Sequence, residues 1–276
     1  MSGIVSCCAE RSLATNSCMT KPITQFTAVS WNVLAQAYAH ASRYPNSPPD
    51  ALEAKQRREL LVKRLRALEA DLVCLQEVEP DCFQQLEAEA FGATHTGFLG
   101  LKTGRPEGCA IFARRDRFTW LEHWTERFAS GDGTAVIARL QLGTLELGVV
   151  SVHLNWEADS VPPENHRGLA QMQQLLSLRA RAPNACWIFA GDFNAISQSV
   201  VLQRAYGNGM AESCRAQRPW DTCNINGRCR KIDYLLFSEG ALVPTALPLP
   251  QLRRDTALPS LTEPSDHLAL TVRFTT

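Results

Sequence analysis

The fold is decided by a short stretch of sequence, Ile188-Phe189-Ala190-Gly191-Asp192-Phe193-Asn194. The apolar run from Cys186 to Ala190 predicts a buried β-strand that ends at a glycine. Asp192 and Asn194 follow two residues apart, so both side chains point to one side of an extended chain. Burying a lone carboxylate there costs on the order of several kcal/mol unless a cation or a phosphate group compensates. An Asx-turn explains these residues equally well when they are taken alone.

The composition is that of a globular protein without net charge. Of the 276 residues, 45% are hydrophobic and 20% are charged, which suits one large domain or two small ones. The formal net charge is zero. A protein that grips long nucleic acid mainly through its phosphates usually has a basic surface. The charge balance therefore argues against extensive phosphate gripping, but it is compatible with a short or terminal nucleic-acid substrate held at a metal site.

The apolar runs and the cysteines indicate an intracellular protein. No apolar run reaches the ~18 residues of a membrane span, and the N-terminus lacks the basic-then-apolar layout of a signal peptide. Of the ten cysteines, Cys74, Cys109 and Cys186 lie inside apolar strand patterns and are predicted core residues. We therefore expect a reduced, cytoplasmic protein without membrane attachment. A metal or disulfide cluster stays open for the last three cysteines, although the chain contains no Cys-x-x-Cys pair.

Strand patterns outnumber helix patterns along the chain. Residues 1–22 lack periodicity and are predicted to be a disordered leader, followed by one domain over residues 23–276. Apolar runs predict strands at 26–34, 71–77, 108–113, 135–140, 144–154, 186–190, 232–237 and 267–274. Helices are predicted at 52–69, from Pro80, at 167–180 and at 199–206, and a Pro-rich connector at 244–250. Many strands with few helices indicate an α/β protein with two sheets packed face to face and helices outside.

Polar residues lie at or beside the ends of these predicted strands. Strand ends on one rim of a sandwich can converge on a single pocket. Each residue alone has a simpler explanation: Glu77 can begin a helix, His153 can be a hydrogen-bonded core residue, and Asp266-His267 can be a surface turn. Their joint occurrence favours a functional site of eight residues, Asn32, Glu77, His153, Asp192, Asn194, Asp233, Asp266 and His267.

The side chains of this set fit one chemistry. The carboxylates and amides offer hard oxygen ligands, which Mg²⁺ prefers and shares with substrate phosphate and water. The two histidines are poor Mg²⁺ ligands beside carboxylates, but they donate well to phosphate oxygens and exchange protons near neutral pH. A zinc site would need more thiolate or imidazole ligands. The set therefore predicts Mg²⁺, with Mn²⁺ as a substitute, acting on a phosphate group.

The same residues occur in motifs whose order resembles the endonuclease/exonuclease/phosphatase superfamily, which includes deoxyribonuclease I and the abasic-site endonucleases. The motifs are Trp31-Asn32, Gln76-Glu77, His153-Leu154-Asn155, Gly191-Asp192-Phe193-Asn194, Ile232-Asp233-Tyr234 and Ser265-Asp266-His267. Longer stretches, at 30–36, 73–78, 107–112 and 264–268, resemble the deadenylase branch. Members of that branch include nocturnin, the Angel proteins and 2′,5′-phosphodiesterase.

The resemblance covers about 24–274 and implies a four-layer α/β sandwich of the deoxyribonuclease I type, with two mostly antiparallel sheets. It also implies Mg²⁺-dependent hydrolysis of a phosphoester by metal-activated water. The residues that match the family's metal ligands are Asn32, Glu77, Asp192 and Asp266. Those that match its catalytic groups are His153, Asp192, Asn194, Asp233 and His267. In that template, Asp192 orients or deprotonates the water, Asp233 orients His267, and the histidines donate to phosphate oxygens.

Three functions are compatible with the sequence. The first is a 3′→5′ exoribonuclease of the deadenylase type that binds a single-stranded RNA 3′ end. Trp156 and Tyr234 would stack its bases, although both could instead pack in the core or at the rim. Asn155 and Asn194 would also contact the substrate. The second is a phosphatase that removes a 2′- or 2′,3′-cyclic phosphate from an RNA end or a small nucleotide, which the neutral charge and the short segments 78–107 and 113–134 favour.

The third function is a binding module that has lost catalysis, and the intact set of polar residues argues against it. The sequence contains no leucine-rich repeat or other protein-partner module, and we expect a monomer. It leaves the natural substrate, the base preference, the number of metal ions and the role of Cys214, Cys223 and Cys229 undecided.

Overall fold

The chain forms two stacked β-sheets in the structure, a computed structural model that describes residues 25–158, 160–214 and 220–276. The leader predicted over residues 1–22 lies outside the described residues. In chain order the strands are β1 (Gln25–Asn32), β2 (Leu72–Val78), β3 (His95–Leu101), β4 (Gly108–Arg114), β5 (Thr119–Arg127), β6 (Thr134–Leu142), β7 (Leu145–His153), β8 (Cys186–Asp192), β9 (Met210–Glu212), β10 (Cys223–Ile225), β11 (Arg228–Arg230), β12 (Asp233–Ser238), β13 (Val243–Ala246) and β14 (Leu270–Thr275). The helices are α1 (Ala54–Ala67), α2 (Pro80–Gln85), α3 (Arg167–Leu178) and α4 (Val200–Tyr206), with a π-helical segment at Leu86–Phe91.

Each of the two large sheets contains one parallel pair of strands. The first sheet has the order β13-β14-β1-β2-β4-β3 and the second β5-β6-β7-β8-β12-β9, while β10 and β11 form a separate hairpin. The parallel pairs are β1 with β2 and β7 with β8. Parallel neighbours need a long crossover, and α1 and α3 supply it. In each sheet, the carboxyl ends of two neighbouring strands therefore lie side by side at the same end of the sheet.

Three apolar layers hold the sandwich together. The central layer lies between the sheets and takes alternate residues from both, among them Cys74 of β2 and Ile188 of β8. Trp187 and Phe189 point to the other side of β8 and pack with residues of α3 and α4. Residues of α1 and the outer side of the first sheet form the third layer. Burial on both faces explains the continuous apolar run of β8. The predicted four-layer α/β sandwich is confirmed.

The sheet edges and one strand end differ from the prediction. Residues 244–250, predicted as a connector, contribute to β13 at an edge of the first sheet, where Pro244 is tolerated. The strands β3, β5, β10 and β11 are not predicted from the sequence. β3 contains glycines and β5 contains charged residues, while β10 and β11 are only three residues long. The last strand begins at Leu270, while His267 forms an isolated bridge with Cys223. Within the described residues, no helix is long and apolar enough to cross a membrane.

Candidate active site

Strand register brings three of the predicted residues side by side. In the parallel pair β7–β8, His153 lies opposite Asp192, and in the antiparallel pair β8–β12, Asp192 lies opposite Asp233. Only glycine fits at position 191, because a Cβ there would lie 1.9 Å from the carbonyl oxygen of Val152. These side chains leave the strands on the face that packs against the first sheet, so they meet at the end of the central apolar layer.

The first sheet contributes Asn32 and Glu77. Asn32 ends β1. Glu77 lies at a bulge between Gln76 and Val78, where the backbone has φ 57°. This left-handed conformation is uncommon for a residue other than glycine and concentrates at functional sites. Regular alternation would turn Glu77 away from the inner face that Gln76 occupies, so the bulge is what lets its carboxylate reach Asn32.

Asn32 links carboxylates of the two sheets. Its Nδ2 atom donates to Glu77 Oε1 at 3.1 Å and to Asp192 Oδ2 at 3.1 Å. Its amide oxygen accepts a bond from the backbone N–H of Leu34 at 3.1 Å. The sequence predicts an oxygen ligand for a metal at this position. In the structure the amide nitrogen faces the carboxylates and the amide oxygen closes a turn with Leu34. Asn32 therefore holds the two acids together.

Asp192 has a second set of contacts. Its Oδ1 atom accepts a bond from the backbone N–H of Asn194 at 2.9 Å. The Asn194 side chain donates to the carbonyl oxygen of Leu154 at 2.9 Å. Burial and then the nearby Asp233 raise the pKa of Asp192. A carboxylate with a raised pKa is suited to accept a proton near neutral pH.

His267 is held by a buried acid. Its Nδ1 atom lies 2.9 Å from Asp233 Oδ2, which also accepts a bond from the Thr222 hydroxyl at 2.6 Å. Burial opposes a charge on His267, but Asp233 and Asp266 outweigh it and raise the pKa of His267 well above its ordinary value. The imidazolium therefore presents Nε2–H to Asp192 Oδ2, 3.8 Å away. No sequence pattern pointed to Thr222, which orients Asp233.

His153 is held by a cation instead. Lys102 Nζ lies 3.2 Å from His153 Nδ1 and 3.0 Å from Glu107 Oε1. Burial and then the charge of Lys102 hold the pKa of His153 well below its ordinary value. A lysine ammonium only donates, so Nδ1 accepts and the proton of the neutral ring lies on Nε2. That Nε2–H faces Asp192 Oδ2 at 3.8 Å. Lys102 carried no sequence signal, whereas Glu107 begins one of the stretches that resemble the deadenylase branch.

Asp266 is tied to the loop that follows β1. Its Oδ2 atom accepts a bond from the buried Tyr44 hydroxyl at 2.8 Å. The neighbouring Ser265 hydroxyl donates to the carbonyl oxygen of Asn32 at 2.7 Å. The segment that carries Asp266 and His267 is therefore fixed against the end of β1.

These side chains surround one cavity of about 280 Å³. Its lining comes from both sheets and from the loops above them: Tyr38, Arg43, Glu77, Lys102, Arg105, Glu107, Asp132, His153, Leu154, Asn155, Trp156, Asp192, Asn194, Ile225, Ile232, Asp266 and His267. Asn32 and Asp233 lie behind this lining and hold its members in place. The structure thus brings together the eight polar residues predicted from the strand ends.

The two residues predicted to stack bases, Trp156 and Tyr234, lie in different environments. Trp156 is 58% exposed at the cavity. Tyr234 is 1% exposed on the opposite side of β12 from Asp233, and its hydroxyl donates to the carbonyl oxygen of Lys231. Tyr234 packs in the apolar layer around α3 and α4 and cannot stack a base in the cavity.

Asn155 also has a structural contact set. Its Nδ2 atom donates to Asp132 Oδ1 at 2.5 Å, and its Oδ1 atom accepts bonds from Gly133 N–H and from Gln171 Nε2. Both ends of the amide are therefore used inside the protein. Asn155 thus holds the loop between β5 and β6 from its place in the cavity lining.

The donor set fits a hard divalent cation. Atoms of Asp192, Asp233 and His267 lie within 4.8 Å of one another, but a hydrogen bond already explains the contact between the last two. Hard oxygens of Glu77, Asp192 and Asp266 line the cavity. Glu107 Oε2 is buried with no hydrogen-bond partner in the described part of the chain. An orphaned carboxylate oxygen is costly unless a cation or water satisfies it, and the hard oxygens of this cavity suit a divalent metal ion.

Comparison with known protein families assigns the chain to one of them. Residues 29–267 match the profile described as Endonuclease/Exonuclease/phosphatase family. The chain belongs to this family. The match extends over most of the sequence, and it confirms both the family and the class of enzyme predicted from the motifs, a phosphoester hydrolase.

Several relatives carry more specific names. Nocturnin of Xenopus laevis is 28% identical over 299 residues, covering 95% of this chain and 75% of its own. The 2′,5′-phosphodiesterase 12 of Mus musculus is 29% identical, covering 91% of this chain and 52% of its own. The CCR4-Not complex 3′-5′-exoribonuclease subunit Ccr4 of Candida albicans is 26% identical, covering 78% and 31%. The chain thus spans only about a third to a half of two of these relatives.

Solved structures of the family share the fold. ANGEL2, described as a 2′,3′-cyclic phosphatase, superimposes with a TM-score of 0.75 at 20% identity, covering 92% of this chain and 96% of its own. The human Nocturnin catalytic domain with bound sulfate has a TM-score of 0.71 at 23% identity, covering 91% and 94%. These likenesses confirm the α/β sandwich.

Proposed function

We propose that the protein is a Mg²⁺-dependent phosphoesterase that shortens RNA from its 3′ end as a 3′→5′ exoribonuclease. One observation carries this proposal: His153 and His267, held by opposite partners, both present an Nε2–H to the cavity beside the acceptor Asp192. Two N–H donors around a proton acceptor suit a phosphate whose oxygens gain charge while water attacks the phosphorus.

The metal would be held by Glu77 with Asp192 and Asp266, whose oxygens line the cavity. When bound, Mg²⁺ neutralises phosphate charge and lowers the pKa of a water molecule. Asn32 keeps Glu77 and Asp192 together through its Nδ2 atom. The residues of both sheets are needed for this arrangement, which explains why the site lies where the strand ends of the two sheets meet.

The remaining side chains of the site would position the attacking water and bind the phosphate. Asp192, whose pKa burial raises, orients the attacking water and accepts its proton as the water oxygen bonds to phosphorus. The bond from phosphorus to the ribose oxygen breaks, and the leaving oxygen takes up a proton from solvent. Asn194 is fixed beside Asp192 through its backbone N–H and supports the water and the phosphate. The cationic His267 and the neutral His153 donate to phosphate oxygens, and Asp233 keeps His267 charged and oriented.

The names of the relatives support RNA as the substrate. The Ccr4 relative is named a 3′-5′-exoribonuclease subunit and another relative a 2′,5′-phosphodiesterase. A second function, removal of a 2′- or 2′,3′-cyclic phosphate, is favoured by a different observation. Arg105 and Asp132 form an ion pair of 2.7 Å that links two loops at the cavity and uses the charge of Arg105 inside the protein, and the chain as a whole has no net positive charge to attract the phosphates of a polymer. The ANGEL2 neighbour is described as a 2′,3′-cyclic phosphatase.

Three substrates tested side by side separate these functions. Purified protein with Mg²⁺ or Mn²⁺ is given labelled oligo(A) RNA, the same RNA ending in a 2′,3′-cyclic phosphate, and NADPH. We expect a ladder that shortens from the 3′ end of oligo(A) and that EDTA abolishes. Removal of only the terminal phosphate or of the NADPH 2′-phosphate would replace the exonuclease proposal with the phosphatase. Asp192→Asn serves as the control for a contaminating nuclease.

A further inference from the structure

Three long cationic side chains line the cavity, and one of them differs from the others. Lys102 pairs with Glu107 at 3.0 Å, and Arg105 pairs with Asp132 at 2.7 Å. Arg43 lines the same cavity, is exposed, and pairs with no acid in the described part of the chain. Its charge is therefore available to a ligand.

The Arg43 side chain nevertheless has a defined place. Its guanidinium carbon lies 5.4 Å from the ring centre of Tyr38 and 5.8 Å from that of Tyr44, which are cation–π distances. Tyr44 is fully buried and donates to Asp266, so this support is tied to the base of the cavity. The backbone carbonyl of Arg43 accepts a bond from Asn226 Nδ2 at 2.7 Å, which joins it to the turn between β10 and β11.

The charges of the cavity separate two positions for anions. The base carries carboxylates of Glu77, Asp192 and Asp266, so a phosphate bound there depends on a metal and on the histidines. A second anionic group, bound away from the base, would meet the unpaired guanidinium of Arg43. Guanidinium offers several N–H donors in one plane and binds phosphate with two parallel bonds.

We propose that Arg43 is a specificity-determining residue that binds a second phosphate of the substrate, the one adjoining the phosphoester under attack. The preferred substrates are then nucleotides or chains with two neighbouring phosphates rather than isolated monophosphates. This inference rests on the proposed function, because it places the first phosphate at the base of the cavity.

A binding experiment tests this without relying on turnover. The affinities of adenosine 3′,5′-bisphosphate, 3′-AMP and 5′-AMP are measured by calorimetry on the full chain, with Ca²⁺ in place of Mg²⁺ and with phosphate release monitored. We expect the bisphosphate to bind about five- to tenfold more tightly than either monophosphate, as for one charged contact that is partly exposed. This preference should shrink when salt is raised from about 50 mM to about 500 mM.

Variants identify the residue responsible. Arg43→Gln should lose the bisphosphate preference, and Arg43→Lys should keep part of it because the charge remains. Arg228→Gln, an exposed arginine of the neighbouring hairpin that does not line the cavity, is the matched control and should keep it. Thermal unfolding checks that each variant is folded.

Two results would overturn the inference: no preference in the unchanged protein, or a preference that Arg43→Gln fully retains. The oligo(A) assay reports separately on the proposed function. Selective bisphosphate binding without RNA shortening would refute the exoribonuclease and leave the second phosphate site standing.

Discussion

The base of the cavity is built from buried strand ends, whereas its rim is built from loop residues that reach solvent. Among the base residues, Asp192 is 2%, Asp233 1% and His267 3% exposed. At the rim, Trp156 is 58% exposed. The base is braced across the two sheets by Asn32, while the rim is held by contacts within or between loops. We therefore expect the base to set the reaction and the rim to set which substrate is accepted.

The largest expected effect belongs to Glu77 at the base. Glu77→Gln keeps the shape of the side chain and removes its charge, so we expect Mg²⁺ affinity to fall and kcat/KM to drop on the order of 10³-fold. Calorimetry with Mg²⁺ and steady-state hydrolysis of oligo(A) measure the two effects. Hydrolysis at the unchanged rate in millimolar Mg²⁺ would contradict a metal role for this residue.

The substitution His267→Ala should have the second largest effect. His267→Ala removes the charged donor that Asp233 holds at 2.9 Å, and we expect kcat to fall about 10²- to 10³-fold with a small change in KM. Asp233→Asn should reproduce part of the loss, since it leaves the ring without its charged partner. A turnover number that stays the same in His267→Ala would refute the assignment.

Lys102 contacts His153 at the base of the cavity and also pairs with Glu107, so its replacement should affect both turnover and stability. Lys102→Met frees the ring of His153 to take either tautomer, and we expect kcat to fall about tenfold. It also leaves the buried Glu107 carboxylate without its ion pair, which costs about 3–5 kcal/mol of unfolding free energy.

The double variant Lys102→Met, Glu107→Gln separates these two effects of Lys102. It should regain most of the stability without regaining the rate. Denaturant unfolding and kinetics on the same samples provide the readout. Recovery of both quantities together would mean that Lys102 serves stability alone.

The smallest expected effect lies at the rim. Trp156→Ala should raise KM for oligo(A) about tenfold with kcat nearly unchanged, because stacking one base contributes about 1–3 kcal/mol. Tyr234→Phe is the matched comparison. It loses the part-buried hydrogen bonds of the Tyr234 hydroxyl with Lys231 and Ser197, so it should lower stability by about 1–2 kcal/mol and leave KM unchanged. Equal KM values for Trp156→Ala and the unchanged protein would remove Trp156 from the substrate path.

The sequence by itself predicted the layers of the fold and the acids and histidines that the structure brings together at the cavity. Both follow from local patterns: apolar runs mark buried strands, and a polar residue at the end of such a run lies at an edge of the sheet. Alternation along β12 also separates Tyr234 from Asp233, and that simple rule excludes the stacking role predicted for Tyr234.

Only the tertiary structure decided which partner each polar atom has. The bulge at Glu77 reverses the direction that alternation predicts for its carboxylate. The tautomer of His153 depends on Lys102, 51 residues away, and the charge of His267 depends on Asp233 and, through it, on Thr222. Asn32 and Asn155 use their amides inside the protein. Such contacts join residues from different strands and loops, so their geometry is set by how the two sheets pack and not by the spacing of residues along the chain.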